Sequence, residues 1–364
     1  MSMRLFADAL EQTAVFVAGT DGYHTYRIPA MVTSTKGTVV AFCEGRKNSR
    51  SDTGDIDLLL KRSTDAGRSW SGLQVIWSDG TNTCGNPAPV VDIASGVIWL
   101  LMTWNHGADK EDQIHYRKSR DTRRVFVSHS ADDGLTWTAP REITSSVKKP
   151  DWSWYGTGPV NGIQLRRGTH QGRLVIPANH STLTARTQVV TRSHIVFSDD
   201  HGQTWQLGGI EEENTNESTL VELADGSLLH NMRSYHKKNR RAVATSRDGG
   251  LTWSDVTLDS ALVEPVCQAS ILRYTWPEDG EKSRILFSNP ASTKRERMSV
   301  RLSSDEGATW PVSRMLWPGN TARQEYADGP GHSIGCLYEC GDASPYEKIV
   351  LARFPLEWLT AAAP

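Results

Sequence analysis

The chain has 364 residues and is close to neutral, with 40 Lys and Arg against 42 Asp and Glu and a formal net charge of −2. That balance, with no basic run, argues against a nucleic-acid partner or a membrane-surface protein, and no apolar stretch approaches the roughly 18 residues of a membrane span. The opening residues, Met1-Ser-Met-Arg-Leu-Phe-Ala-Asp8, lack the apolar core and small-residue cleavage site of a leader. They predict a cytoplasmic protein as written, or a secreted or periplasmic one if a leader has been removed.

In chain order, alternating and β-branched runs predict strands throughout. A first group reads Arg27–Thr33, Thr38–Glu44, Asp55–Arg62 and Leu73–Trp77. A second reads Ala88–Ile93, Val97–Trp104, Arg124–Ser128 and Arg141–Thr144. The third is Val160–Leu165, Arg173–Ala178, His194–Phe197 and Gln206–Ile210, with Trp152-Ser-Trp154-Tyr155 in a loop ahead of it. The fourth is Ser218–Leu223, Ser227–Met232, Ala242–Thr245 and Val256–Leu258. The fifth is Ala269–Tyr274, Arg284–Phe287, Met298–Leu302 and Arg314–Leu316. A sixth has only Ser333–Tyr338 and Lys348–Phe354, and a strand near Thr13–Val17 is expected to close it.

After the third strand of the first five groups comes one pattern, Ser-x-Asp-x-Gly-x-Ser/Thr-Trp, beginning at Ser63, Ser130, Ser198, Ser246 and Ser303. Recurrence at intervals of about 50 to 70 residues signals a repeat architecture. The motif is a turn: Asp accepts local N–H bonds, Gly supplies a positive φ, and Trp covers the result. Six four-stranded antiparallel blades, all-β, predict a six-bladed β-propeller over residues 1–364 as a single domain. Five scattered cysteines predict free buried thiols, with a Cys336–Cys340 pairing left open.

Strands alternate in direction, so starts of strands one and three share an end with the finish of strand two, opposite the turn motifs. Asp65, Asp132, Asp200, Asp248 and Asp305 are therefore read as structural. The other end collects Arg27, in Tyr26-Arg27-Ile28-Pro29, with Arg46, Asp52, Asn86, Asn179, Glu217, Arg233, Arg295, Tyr326 (placed ahead of a strand) and Glu339. A guanidinium heading an apolar strand needs a carboxylate or water. An ion pair explains any one of these residues but poorly explains the set.

Tyr26-Arg27-Ile28-Pro29, the five Asp boxes, Asn216-Glu-Ser218, Asn231-Met-Arg-Ser234 and Gly335-Cys-Leu-Tyr-Glu339 resemble the exo-sialidases (neuraminidases) of bacterial and animal type across nearly the whole chain. The resemblance implies a retaining exo-α-sialidase acting on terminal sialic acids of oligosaccharides, glycoproteins or glycolipids through a tyrosyl intermediate. It implies an arginine triad of Arg27, Arg233 and Arg295, whose planar forks bind the sugar's carboxylate. Arg295 is preferred to Arg297 because it lies eight residues ahead of Ser303. Glu339 would steady Arg27. Tyr326 would be the nucleophile, a known exception to the two-carboxylate rule, with Glu217 its base and Asp52 the acid/base. Asp55 and Asp57 are rivals to Asp52, which is chosen for its place six residues after Arg46. Arg46, Asn86 and Asn179 would line the pocket. The Trp152–Tyr155 cluster would either stack on substrate or pack a loop. No metal or other cofactor is implied. Two alternatives stay open, a non-catalytic sialoglycan-binding propeller and a trans-sialidase, and the oligomeric state is not legible.

Overall fold

The computed structural model describes residues 10–185, 187–329 and 333–361, without side chains at 323–329. Its architecture is all-β. Strand β1 (Glu11–Val17) is followed by an eight-stranded sheet of β2 (Thr25–Thr33), β3 (Val39–Arg46), β4 (Ile56–Ser63), β5 (Gln74–Trp77), β6 (Thr83–Val91), β7 (Ile98–Asn105), β8 (Arg124–Ser130) and β9 (Arg141–Glu142). A short helix, α1 (Glu111–His115), lies between β7 and β8. Next come β10 (Trp152–Thr157), β11 (Ile163–Gln164), β12 (Leu174–Leu183), β13 (Val189–Ser198) and β14 (Gln206–Glu213), in a sheet where β10 and β11 both pair with β12. A four-stranded sheet holds β15 (Thr215–Glu222), β16 (Leu228–Ser234), β17 (Arg240–Ser246) and β18 (Thr257–Val263). The last sheet holds β19 (Ser270–Thr275), β20 (Arg284–Pro290), β21 (Glu296–Ser303), β22 (Val312–Gly329), β23 (Ser333–Gly341) and β24 (Lys348–Phe354), with β1 on the free edge of β24.

Two expectations change, and one open pairing is settled. Trp152–Tyr155 is strand, not loop, because β10 pairs Tyr155 with His180 and Thr157 with Ala178. Tyr326 lies within β22, paired with Cys336, and not ahead of a strand. Cys336 and Cys340 are both free and buried. They sit four residues apart on β23, which at about 3.3 Å per residue is too far for a disulfide.

Alternation places the core on both faces of each sheet. In β3, Val40 and Phe42 join one apolar cluster while Val39, Ala41 and Cys43 join another. In β7, Ile98, Leu100 and Met102 face the Phe42 cluster, and Trp99 and Leu101 face a third with Ile176 and Val196. A strand buried on both sides reads as a near-continuous apolar run, as Ile98-Trp-Leu-Leu-Met102 does.

The turn motif repeats atom for atom. The Ser63 hydroxyl donates to Asp65 Oδ1 (2.7 Å) and accepts the Gly67 N–H (2.7 Å), while Asp65 accepts the Ser69 N–H (2.9 Å) and hydroxyl (2.6 Å). The other four boxes make the same bonds. The boxes also couple neighbours. Gly202, at φ +88°, leaves no room for a Cβ against the Trp99 ring of β7, and Gly67, at φ +83°, leaves none against Leu351 of β24. Gly202→Ala should therefore combine backbone strain with overpacking and cost roughly 2–4 kcal/mol, read as a lowered urea midpoint. An unchanged midpoint would show that the box does not lock the two sheets.

Candidate active site

The boxes follow β4, β8, β13, β17 and β21. The opposite strand ends enclose a cavity of about 290 Å³, lined by Arg27, Arg46, Asp52, Asn86, Asn179, Glu217, Arg233 and Arg295 among others. Eight of the ten residues singled out from sequence thus meet in one place. Of the remaining two, Glu339 lies directly behind Arg27. Tyr326 is on β22, and its side chain lies outside the described residues.

Arg27 is brought in by a bulge at the start of β2, where Ile28 takes φ +60° and the register with β3 shifts. Its Nη1 donates to Asp52 Oδ1 (3.1 Å), and its Nε lies 3.5 Å from Glu339 Oε1. Tyr346 supplies a ring 4.1 Å from the Arg27 guanidinium and a hydroxyl that accepts from Arg295 Nη1 (2.9 Å). Arg46, nearly closed off from solvent, donates to Glu44 Oε2 through Nη2 (2.6 Å) and Nε (3.1 Å), and its Nη2 also lies 2.8 Å from Asp52 Oδ1. Asp52 is 51% exposed on the loop after β3, between two arginines. Its rivals point elsewhere: Asp55 and Asp57 both pair with Lys47, and Asp57 accepts from the Tyr23 hydroxyl. Glu217 Oε2 accepts from Arg233 Nη1 (2.7 Å). Three arginines from three parts of the chain around one cavity can hold a carboxylate by paired N–H bonds.

Several lining residues were missed from sequence. Tyr346 sits in the β23–β24 turn, with no local pattern to mark it. Arg123 lies one residue ahead of β8, as Arg295 lies one residue ahead of β21, so the repeat did carry a signal for it. Its guanidinium sits 3.9 Å from the Trp154 ring, and the His115 imidazole of α1 stacks on the same indole at 5.3 Å. Trp154 is therefore a built part of the wall. Trp152 points into the core, stacked on His180 at 3.4 Å.

Beneath this wall, His180 Nδ1 and His194 Nδ1 are 3.0 Å apart and His194 Nε2 is 3.0 Å from the Tyr155 hydroxyl. Burial pulls His180 down to about 3 and His194 well below the usual imidazole range. Both stay neutral in the fold while the unfolded chain takes up protons below about 6.5. Stability from this cluster is complete above that pH and declines as pH falls toward the folded value, by up to about 1.4 kcal/mol per pH unit for each imidazole. Urea midpoints measured from pH 7 to pH 5 should fall, and His180→Gln should flatten that slope. A slope unchanged in the variant would exclude the cluster as its source.

All-β sheets stapled by Asp-box turns, with the arginine-lined cavity at the far ends, place the chain among the Asp-box repeat proteins, and residues 37–337 match the family described as BNR repeat-like domain. It is 35% identical over 358 residues to a sialidase of Micromonospora viridifaciens, covering 94% of this chain but only 53%, about half, of that protein's length. It is 30% identical over 375 residues to an exo-alpha-sialidase of Aspergillus fumigatus, covering 93% of this chain and 86% of the relative. The solved Hadza microbial sialidase Hz136 superposes with a TM-score of 0.86 at 32% identity, over 96% of this chain and 69% of that one. The chain belongs to the sialidase family.

Proposed function

We propose that this chain is a retaining exo-α-sialidase that releases terminal α-linked sialic acid from oligosaccharides, glycoproteins or glycolipids. The observation that carries the reading is the convergence of Arg27, Arg233 and Arg295 with Asp52 and Glu217 on one cavity. The named activities of relatives at 30–35% identity support it.

The scaffold is proposed to be one domain, a six-bladed propeller. The eight-stranded sheet divides at a single parallel bridge, Ile56 to Thr83, into β2–β5 and β6–β9. The last sheet divides within the 18-residue β22, whose first part pairs with β21 and second part with β23. With β10 and β11 as one broken inner strand, each unit has four strands. The apolar clusters support closure: the last of them joins Met31 and Ala41 of the first unit to Leu337 and Leu351 of the last.

In this reading the substrate carboxylate lies across the three guanidiniums. Asp52 protonates the departing glycosidic oxygen as Tyr326 attacks the anomeric carbon, and Glu217 takes the phenol proton. A phenol is neutral until that proton leaves, so it avoids the repulsion an anionic nucleophile would meet beside the substrate's carboxylate. Water activated by Asp52 then cleaves the tyrosyl bond, and two displacements at one carbon leave its configuration unchanged. Tyr326→Phe should lower turnover on an aryl sialoside at least about 10³-fold, the scale on which a lost nucleophile shows, with an unaltered melting temperature. Wild-type turnover in that variant would remove Tyr326 from the mechanism, and a wild-type protein that binds sialosides without releasing free sugar would remove the activity.

A further inference from the structure

The proposed mechanism gives no task to Tyr346, yet this ring touches two of the three arginines assigned to the substrate carboxylate. The Arg27 guanidinium lies over the ring face, 4.1 Å from its centroid, and Arg295 Nη1 donates to the hydroxyl (2.9 Å). The two arginines come from different parts of the chain, one from the bulged start of β2 and one from the residue ahead of β21. Tyr346 comes from a third place, the β23–β24 turn, and lines the cavity beside them.

The turn is built to hold that ring still. The Glu347 carboxylate accepts three successive backbone N–H groups, from Asp342 (3.1 Å), Ala343 (2.8 Å) and Ser344 (3.0 Å). These bonds, the one from Ala343 most of all, keep its carboxyl below the usual range. The Ser344 hydroxyl accepts the Tyr346 N–H (3.3 Å). Two more bonds fasten the turn to its neighbours. The Ala18 N–H, just past β1, donates to the Glu347 carbonyl (2.9 Å), and Asn320 Nδ2 of β22 donates to the Asp342 carbonyl (2.8 Å). Gly341 leaves no room for a Cβ against the Ser344 carbonyl, so the loop has no slack there.

A planar ring with one polar tip suits the place. A guanidinium stacked on an aromatic face keeps its N–H edges for a ligand. A phenol oxygen accepts from a second guanidinium without bringing a negative charge, so it steadies that arginine without repelling an incoming carboxylate. A carboxylate in its place would do the first and fail the second.

We propose that Tyr346 is a positioning residue. It couples Arg27 to Arg295 and sets the spacing at which the two guanidiniums meet the substrate carboxylate, while Glu347 locks the turn that carries it. The inference deepens the sialidase reading and rests on it. The carboxylate is held alike before and during bond breaking, so the arrangement serves binding more than the chemical step.

The test measures kcat and KM on an aryl sialoside, and the dissociation constant of the ring-unsaturated sugar acid by calorimetry. Tyr346→Phe keeps the ring under Arg27 and removes the acceptor of Arg295. It should raise KM and the dissociation constant about tenfold, the scale of a lost hydrogen bond to a charged group, and leave kcat within about threefold. Tyr346→Leu removes both contacts and should weaken binding further. Glu347→Ala should shift the same two constants in the same direction. In an Arg295→Ala background Tyr346→Phe should add no further loss of acid binding, since the two residues act as one unit. Wild-type constants in Tyr346→Phe overturn the proposal, and in Glu347→Ala they overturn the part given to the turn. A collapse of kcat at unchanged KM also overturns it, by placing Tyr346 in the chemistry. So does an equal loss of acid binding with and without Arg295, which marks a general structural role. In each case the sialidase reading stands. A wild-type protein that neither hydrolyses the sialoside nor binds the acid removes that reading and this one together.

Discussion

Burying a guanidinium in a nearly closed cavity is costly, and carboxylates fixed beside it beforehand offset that cost; two glutamates carry that duty for Arg27 and Arg46. Glu339, fully buried on β23, accepts the Ile28 N–H (2.8 Å) through the oxygen that faces Arg27. Glu44, at the end of β3, accepts the Asn86 N–H (2.9 Å) with one oxygen and Arg46 with the other. The pattern is the same in both: a carboxylate on one strand, β23 or β3, reaches the bulged backbone of another, β2 or β6. The bulged residues, Ile28 at φ +60° and Asn86 at φ +52°, are in a region L-residues avoid, and for a β-branched isoleucine the cost is about 1–3 kcal/mol. Each glutamate offsets that strain and holds an arginine with the same carboxylate group. Backbone conformation and site charge are therefore one coupled feature.

The coupling explains the division of labour between the two ends of the strands. At one end, Asp-box hydroxyls and carboxylates satisfy the turn's own N–H groups, and the box glycines Gly67, Gly202, Gly250 and Gly307 sit against a neighbouring sheet. Nothing there depends on a ligand. At the other end polar groups reach across between units, as Ile28 to Glu339 and Thr157 to the Asn86 carbonyl do. A scaffold locked by its turns leaves the opposite rim free to carry strained backbone and paired charges, which is where binding residues concentrate.

Much of this was legible because it is written locally. Five copies of an eight-residue turn fix the strand order around them, and strand order decides which ends meet. That is enough to bring Arg27, Arg46, Arg233 and Arg295 to one cavity from sequence alone. The misses are non-local. β10 reads as loop because Trp152-Ser-Trp-Tyr155 gains its strand character from pairing with β12. β22 was read as strand only over Arg314–Leu316, because the rest of it is held by pairing: the strand serves β21 first and β23 afterwards. Tyr346 gives no signal of its own, since its ring matters only through the packing that sets it against Arg27. Arg123 was hidden for another reason: its signal is only positional, one residue ahead of β8 as Arg295 is ahead of β21, and no family motif marks that place.

The arginines of the cavity also differ in what they can exchange. Arg27 holds Asp52, and Arg233 holds Glu217. A ligand carboxylate arriving at either competes with a protein carboxylate of like charge, so binding can proceed by substitution with little change in local charge. Arg123 has no such partner among the described residues, and the nearby Lys148, pulled down to about 7 by burial and then by Arg123 itself, is only about half protonated at neutral pH. A full anion there would need its own desolvation in a tight corner. The arginines of the cavity therefore differ in their partners: Arg27 and Arg233 each hold a protein carboxylate, whereas Arg123 donates to the neutral oxygens of Thr103 and Asn86.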